Sequence, residues 1–302
     1  MIENNMKNVI NAFLDNLIPG EEATLSTYVA YREDLILFAN FLKDYEKITD
    51  IRKISTAMIY DFRKYLYEKK GFLKSTVDRK IFCLRSFFKY LVDYDYLNKN
   101  PMNKFKHNKK ARSPITDFLT ENELDIICNT PRKMNIIGYE KEQALIYALR
   151  YTGGRRGTIR SLNWDDIHFF DSKITITIGK QVRPEKHPIP MHKRLRDALL
   201  VYYKRIKPND NDPVFTSKTG NRISNTEYTK TLRKIIDASG VKKEFTITGH
   251  SFRSAFITLL VQKGWTLADI QALTFHKDAK TLYEYYFKTN QERMKASIAA
   301  LG

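Results

Sequence analysis

The feature that most constrains this chain is an interruption. Residues 99–117, KNPMNKFKHNKKARSPITD, hold two prolines and, within nine positions, Lys104, Lys106, Lys109, Lys110 and Arg112. Hydrophobic periodicity stops there and resumes at Thr120. Proline removes a backbone donor and crowded like charges repel, so the stretch can neither continue a helix nor enter a core. With 302 residues, the chain also exceeds what one core usually accommodates. Two units are therefore expected, residues 1–103 and 118–302, joined by a basic linker over 104–117.

The first unit reads as a helical bundle. In TLSTYVAYREDLILFANFL, the residues Leu25, Tyr28, Val29, Arg32, Leu35, Ile36, Ala39 and Leu42 recur at helical spacing, with Arg32 the one polar member of that face. ISTAMIYDFRKYL repeats the pattern, with Ser55 or Thr56 as N-cap and Ile59, Phe62 and Leu66 inward. Ser75–Asp78 has the form of a capping box, after which Val77, Ile81, Leu84, Phe88 and Leu91 form a stripe. Arg79, Lys80, Arg85 and Lys89 lie off that stripe, on an outer face that either is simply solvated or meets a polyanion.

The second unit reads as mostly helical with a small antiparallel sheet, so the fold class is mainly α with a mixed α/β second domain. TENE, from Thr120, carries a helix cap with a glutamate three residues on. A helix over Tyr139–Tyr151 leads into the turn TGGRRG and a further short helix. KITITIGKQVRPEKHPIPM alternates Ile and Thr, which predicts a strand, a turn and a second short strand. Helices are then expected at Leu195–Ile206, Asn225–Ser239, Ser251–Lys263 and Leu267–Leu273, with a last one from Lys280 onward.

Charge narrows the partners. Lys and Arg number 52 against 34 Asp and Glu, a formal net charge of +18. Up to Ser113 there are 21 basic and 14 acidic residues, and after it 31 and 20, so both units are positive. That distribution suits a protein gripping a polyanion from two sides, with nucleic acid foremost. No stretch approaches the ~20 apolar residues of a spanning helix, and MIENNMKN lacks a signal peptide's apolar core, so a soluble, unexported, cytoplasmic protein is expected. Cys83 and Cys128 both fall within apolar helical patterns and are expected to be buried free thiols, with no metal site.

Four places in the second unit carry groups suited to an anionic transition state. Arg155 follows two glycines, which let a backbone turn tightly and an arginine approach a phosphate; taken alone, Gly–Gly–Arg–Arg is an ordinary loop. Lys180 ends TITIGK where the strand turns over, a common place for a surface lysine. His250 and Arg253 lie three apart at a helix start, where free amides favour an anion. Phe252, Phe256, Leu259 and Leu260 are the expected buried stripe of that helix, with His250 and Arg253 at its edge. His276 precedes a run containing Tyr283, Tyr285 and Tyr286; in a chain with 18 tyrosines, such a cluster on its own reads as packing.

Taken together, in order, these residues resemble the tyrosine recombinase (phage integrase) family. Its pattern is an arginine in a T-G-x-R turn, a hairpin lysine, H-x-x-R, a second His or Trp, and a tyrosine nine residues later. Here stand Thr152–Gly153–Gly154–Arg155, Ile178–Gly179–Lys180, His250–Ser251–Phe252–Arg253, His276 and Tyr285. The resemblance covers almost the whole chain, the first unit corresponding to the family's SAM-like core-DNA-binding domain and the second to its catalytic domain. Four features depart from the pattern. Thr158 stands where members often have an acid, and Thr274–Phe275 where Leu-Gly is usual. The long hairpin adds Lys186 as a rival to Lys180, while Tyr283 and Tyr286 rival Tyr285.

The resemblance implies catalytic roles for Arg155, Lys180, His250, Arg253, His276 and Tyr285, and a 3′-phosphotyrosine intermediate that needs no metal or cofactor. It implies double-stranded DNA recombination sites as partner and a homotetramer on paired sites, the free protein being a monomer or weak oligomer. Arg79, Lys80, Arg85, Lys89, Lys104, Lys106, Lys109, Lys110 and Arg112 are the candidate DNA contacts. A non-catalytic DNA-binding regulator on the same fold and a type IB topoisomerase are the alternatives. Ile298, Ala299 and Leu301 form a short apolar patch that either docks on a neighbouring subunit or folds back on its own domain.

Overall fold

The computed structural model describes residues 6–17, 25–106, 118–134, 138–178, 185–275 and 282–283. The chain divides into two compact units, Met1–Ala111 and Arg112–Gly302. Among the described residues there are eleven α-helices and one three-stranded sheet.

The first unit is helical throughout: α1 (Met6–Leu17), α2 (Leu25–Asp44), α3 (Thr56–Glu68) and α4 (Lys74–Asp93). Its core is rich in aromatic rings. Phe38 meets Phe62 edge-on at 4.9 Å, and Phe13 meets Phe87 in the same manner at 5.3 Å. Offset and edge-on contacts of this kind add roughly 0.5–1.5 kcal/mol each beyond simple burial. Ser55 caps α3 by accepting from the Met58 amide, and Ile59, Phe62 and Leu66 are buried as expected. The stripe of α4 is buried as well. Phe105 also enters this core, stacked on Tyr60.

Two local readings need correction here. The buried face of α2 is Asp34, Leu35, Phe38, Phe41 and Leu42, while Val29 and Ile36 are exposed. The helix turns its aromatic rings inward because they bury more area, and this also brings Asp34 against α4. Ser75–Asp78 is not a capping box: α4 begins at Lys74, and Leu73 caps it without a side-chain bond.

The second unit wraps around one central helix. It contains α5 (Glu121–Lys133), α6 (Glu140–Thr152), α7 (Arg156–Ser161), α8 (Lys193–Ile206), α9 (Asn225–Ser239), α10 (Gly249–Gln262) and α11 (Leu267–Thr274). The capping box of Thr120 and Glu123 forms as expected, each side chain reaching the other's backbone. Every residue of α6 from Gln143 to Arg150 is buried, so neighbours surround this helix on all sides. Strands β1 (Ile167–His168), β2 (Lys173–Ile178) and β3 (Glu185–Pro190) form an antiparallel sheet in the order β1-β2-β3, with Ile174 opposite Ile189 and Thr177 opposite Lys186. Pro188 and Pro190 are tolerated because β3 is an edge strand. Cys83 and Cys128 are buried and free, and burial raises both thiol pKa values, that of Cys128 to about 11.

Candidate functional site

The site is organised by the end of α6. Gly153 takes the left-handed conformation (φ 57°) that stops this helix, and a side chain there would overlap the ring of Phe256. Glycine is thus required twice over, by backbone and by space. Gly154 donates its amide to Thr152 Oγ1 at 3.0 Å, tightening the turn. The chain then leaves extended at Arg155, the N-cap of α7, whose side chain is exposed.

Arg253 approaches the same turn from α10. Its Nη1 donates to the Gly153 carbonyl at 2.7 Å and its Nη2 to the Thr274 carbonyl at 2.8 Å. One guanidinium therefore ties together the T-G-x-R turn, the H-x-x-R helix and the end of α11. Arg253 is buried, not at the helix edge as the spacing predicts. The reason is that α10 is enclosed on more than one side. Phe252 and Ala255 face the main core, while Ile257 and Val261 pack with Ile270 and Leu282. Phe256, Leu259 and Leu260 are half-buried instead of forming the main stripe.

His250 lies in the first turn of α10, exposed, beside a cleft of about 990 Å³ that Arg155, Arg156, Arg233, Lys242, Lys243 and Arg253 also line. Partial desolvation of its ring lowers its pKa first, and the charges of Arg253 and Arg155 add to that. The imidazole is accordingly neutral near pH 7. The cleft is strongly cationic, with Asp237 the one acid among its lining residues. The start of α10, the guanidinium groups of Arg155 and Arg253 and a neutral imidazole together suit a phosphodiester. Among the described residues no His/Cys/Asp/Glu group is placed to hold a metal ion.

Lys186 stands on β3 with its Nζ 3.4 Å from Asp166 Oδ1. Asp166 is itself buried and caps a short 3-10 turn by accepting from the Asn163 amide. Lys180, His276, Tyr285 and Tyr286 lie outside the described residues; Tyr283 is exposed.

Of the candidate DNA contacts in the first unit, Arg85, Lys89, Lys104 and Lys106 are exposed. Lys80 is not on an outer face: it is buried with its Nζ 2.6 Å from Asp34 Oδ1. Its helical position borders the stripe, and the inward carboxylate of Asp34 draws it under. Arg79 forks onto the same carboxylate while staying half-exposed. Lys109, Lys110 and Arg112 lie outside the described residues.

Sequence reading did not single out Arg156, Lys242 or Lys243, although a pair of lysines just beyond the α9 stop at Gly240 was a visible signal. Tyr228, also lining the cleft, left no such signal, because its pattern position is that of an ordinary core residue.

The sequence model of the phage integrase family matches residues 117–293, more than half of the chain, and that of the family's N-terminal SAM-like domain matches residues 10–94. The chain belongs to the phage integrase family. Tyrosine recombinases cleave and rejoin DNA strands in site-specific recombination, and this integrase-family chain is an enzyme of that class. It is 28% identical over 286 residues to the tyrosine recombinase XerD of Listeria monocytogenes, covering 93% of this chain and 94% of that one. A tyrosine recombinase of Pseudothermotoga lettingae is 28% identical, covering 96% and 97%. Among solved structures, the XerH site-specific recombinase bound to its difH substrate superposes with a TM-score of 0.73 at 20% identity, covering 91% of this chain and 80% of that one. A lambda integrase dimer bound to a core site gives 0.71 at 18%, covering 93% and 77%. At such identities the structural likeness speaks to the fold. No helix among the described residues is long and apolar enough to cross a membrane.

Proposed function

We propose that this integrase-family chain recombines double-stranded DNA at specific sites through a 3′-phosphotyrosine, with Arg155, Lys180, His250, Arg253, His276 and Tyr285 as its catalytic residues. The observation that carries this reading is the double hydrogen bond of Arg253 to Gly153 and Thr274, which joins three of the motif segments in one place.

The chemistry follows from charge. Cleavage builds negative charge on the non-bridging oxygens and on the leaving 5′ oxygen. Arg155 and Arg253 are cationic at any physiological pH and bind the phosphate oxygens. His250, neutral near pH 7, and His276 hydrogen-bond the same oxygens or help take the tyrosine proton. The Tyr285 oxygen attacks phosphorus, the bond to the 5′ oxygen breaks, and Lys180 supplies that oxygen with a proton. The phosphodiester energy is kept in the tyrosyl link, so a 5′-hydroxyl rejoins the strand by reversal with no external energy source. Lys186 is the poorer candidate for that role, since its ammonium is already engaged by the carboxylate of Asp166.

Residues 1–103 would serve as the core-DNA-binding domain, 104–117 as a basic linker and 118–302 as the catalytic domain. Arg85, Lys89, Lys104 and Lys106 are exposed cations for the backbone, and Lys109, Lys110 and Arg112 extend that charge along the sequence. A tetramer on two paired sites in the cytoplasm completes the reading.

A suicide substrate carrying a nick beside the cleavage site tests it. Wild type should accumulate a covalent protein–DNA adduct, Tyr285→Phe none, and Tyr286→Phe a near-normal amount. Adduct persisting in Tyr285→Phe would overturn the choice of nucleophile, and absence of adduct in wild type the reaction itself.

A further inference from the structure

The hydroxyl of Tyr228 has no hydrogen-bond partner among the described residues. Tyr228 stands on α9, 2% exposed, with its oxygen buried. Burial pushes its pKa up to about 12, so the group stays an O–H donor. An unmade buried hydrogen bond lowers stability, and phenylalanine would fill the same volume without that cost.

What the oxygen meets is the first turn of α10. A Cβ added to Gly249 would overlap the Tyr228 hydroxyl, whereas the next atoms, Cζ of that ring at 3.5 Å and Leu149 Cδ2 at 3.8 Å, are at ordinary contact distance. Gly249 does not have a positive φ, so the backbone itself does not demand glycine. A helix start also accepts alanine on propensity grounds. The Tyr228 oxygen is what keeps a side chain out. His250 is the next residue, and its side chain makes no hydrogen bond among the described residues, so the ring's position is inherited from the backbone at Gly249.

We infer that Tyr228 is a positioning residue: its hydroxyl abuts Gly249 and sets the height at which the first turn of α10 presents His250 to the cationic cleft. The inference rests on the role of His250 proposed above. Arg253, one turn further along, is tied to Gly153 and Thr274, so a shift of the first turn moves the imidazole relative to a fixed guanidinium. Misplacement of a reacting group by about 1 Å can slow a reaction by roughly a hundredfold.

Four variants decide it: Tyr228→Phe, Gly249→Ala, the double variant and His250→Ala. Each is measured for thermal stability, for DNA affinity, and for the rate of covalent adduct formation on a suicide substrate at saturating protein. Tyr228→Phe should melt at or above the wild-type temperature and bind DNA within about twofold, yet form adduct on the order of tenfold more slowly. Gly249→Ala should be slower still. The double variant should recover most of the rate, because the new methyl fills the space the oxygen left. A wild-type rate in Tyr228→Phe, or a double variant no faster than Tyr228→Phe alone, overturns the inference even if Gly249→Ala does not fold. Should His250→Ala keep the wild-type rate, the role given to His250 fails instead; slowing there without slowing in Tyr228→Phe removes the positioning role alone.

Discussion

Lys80 in the first unit and Arg253 in the second are both buried cations, and the groups that hold them differ. Lys80 and Arg79 close on the carboxylate of Asp34, which is 1% exposed. Arg253 is bound by the carbonyl oxygens of Gly153 and Thr274, dipoles that direct a guanidinium without cancelling its charge. The one carboxylate of Asp34 offsets one of the two charges it holds, and it joins α2 to Lys80 and Arg79 of α4. Carbonyl oxygens carry no net charge, and in the function proposed above the guanidinium of Arg253 serves a phosphate. Two buried cations thus differ in the acceptors described for them: a carboxylate for Lys80, backbone carbonyls for Arg253.

The sharpest way to break this contrast is Asp34→Ala. It leaves Lys80 buried beside Arg79 with the shared carboxylate gone, and should lower the stability of the first unit by about 3–5 kcal/mol in urea unfolding. Replacing Asp34 and Lys80 together with apolar residues of similar size should restore most of that loss, as expected if the joint contributes little beyond pairing. Arg253→Lys tests the other half. A lysine cannot span two carbonyl oxygens as a planar fork does, so adduct formation should fall by roughly 10²–10³ while the fold survives. Retained activity with lysine would show that charge suffices and direction does not matter.

Lys186 sharpens the comparison at a smaller scale, since it too sits on a carboxylate. Lys186→Ala should change stability by less than about 1 kcal/mol and cleavage only a few-fold. Lys180→Ala should slow cleavage by roughly 10²–10⁴, and equal effects of the two would undo the assignment. The smallest effect expected is that of pH. His250 and His192 have lowered pKa values, in both cases chiefly through partial desolvation and then through neighbouring cations. The unfolded chain therefore takes up these protons first, near pH 6.5, so stability falls as pH drops below that value. The urea midpoint should drop between pH 7.5 and 5.5, and less steeply in a His192→Gln, His250→Gln double variant.

The elements that sequence reading placed well are those with local causes. Thr120 and Glu123 cap α5 because both partners lie within one turn, and the alternation of Ile and Thr in β2 is visible within six residues. Errors arose where the deciding partner was distant in sequence. Nothing near Arg32 says that α2 turns Asp34 inward, because its cations lie 45 and 46 residues away. Ser75 and Asp78 had the right spacing for a cap, yet α4 starts ahead of them. The order of Arg155, His250 and Arg253 was readable as a motif, but the depth of Arg253 was not, since its acceptors belong to other segments. Tyr228 could not have been found from its neighbours at all: its contact with Gly249 joins the starts of two helices.

Phe275 ends α11 in the left-handed conformation at φ 53°, a bend that glycine makes most easily. Its ring lies 4.7 Å from that of His187 on β3, tilted by 35°, so the bend has a ring neighbour. A residue other than glycine makes that bend at a cost of roughly 1–2 kcal/mol, and the ring contact offsets part of it. The contact of Phe275 with His187 therefore joins the sheet to the end of α11. Loss of the ring at His187 would leave the strained bend without its counterweight, so a substitution on a strand edge could be felt at the end of a helix that it never covalently meets.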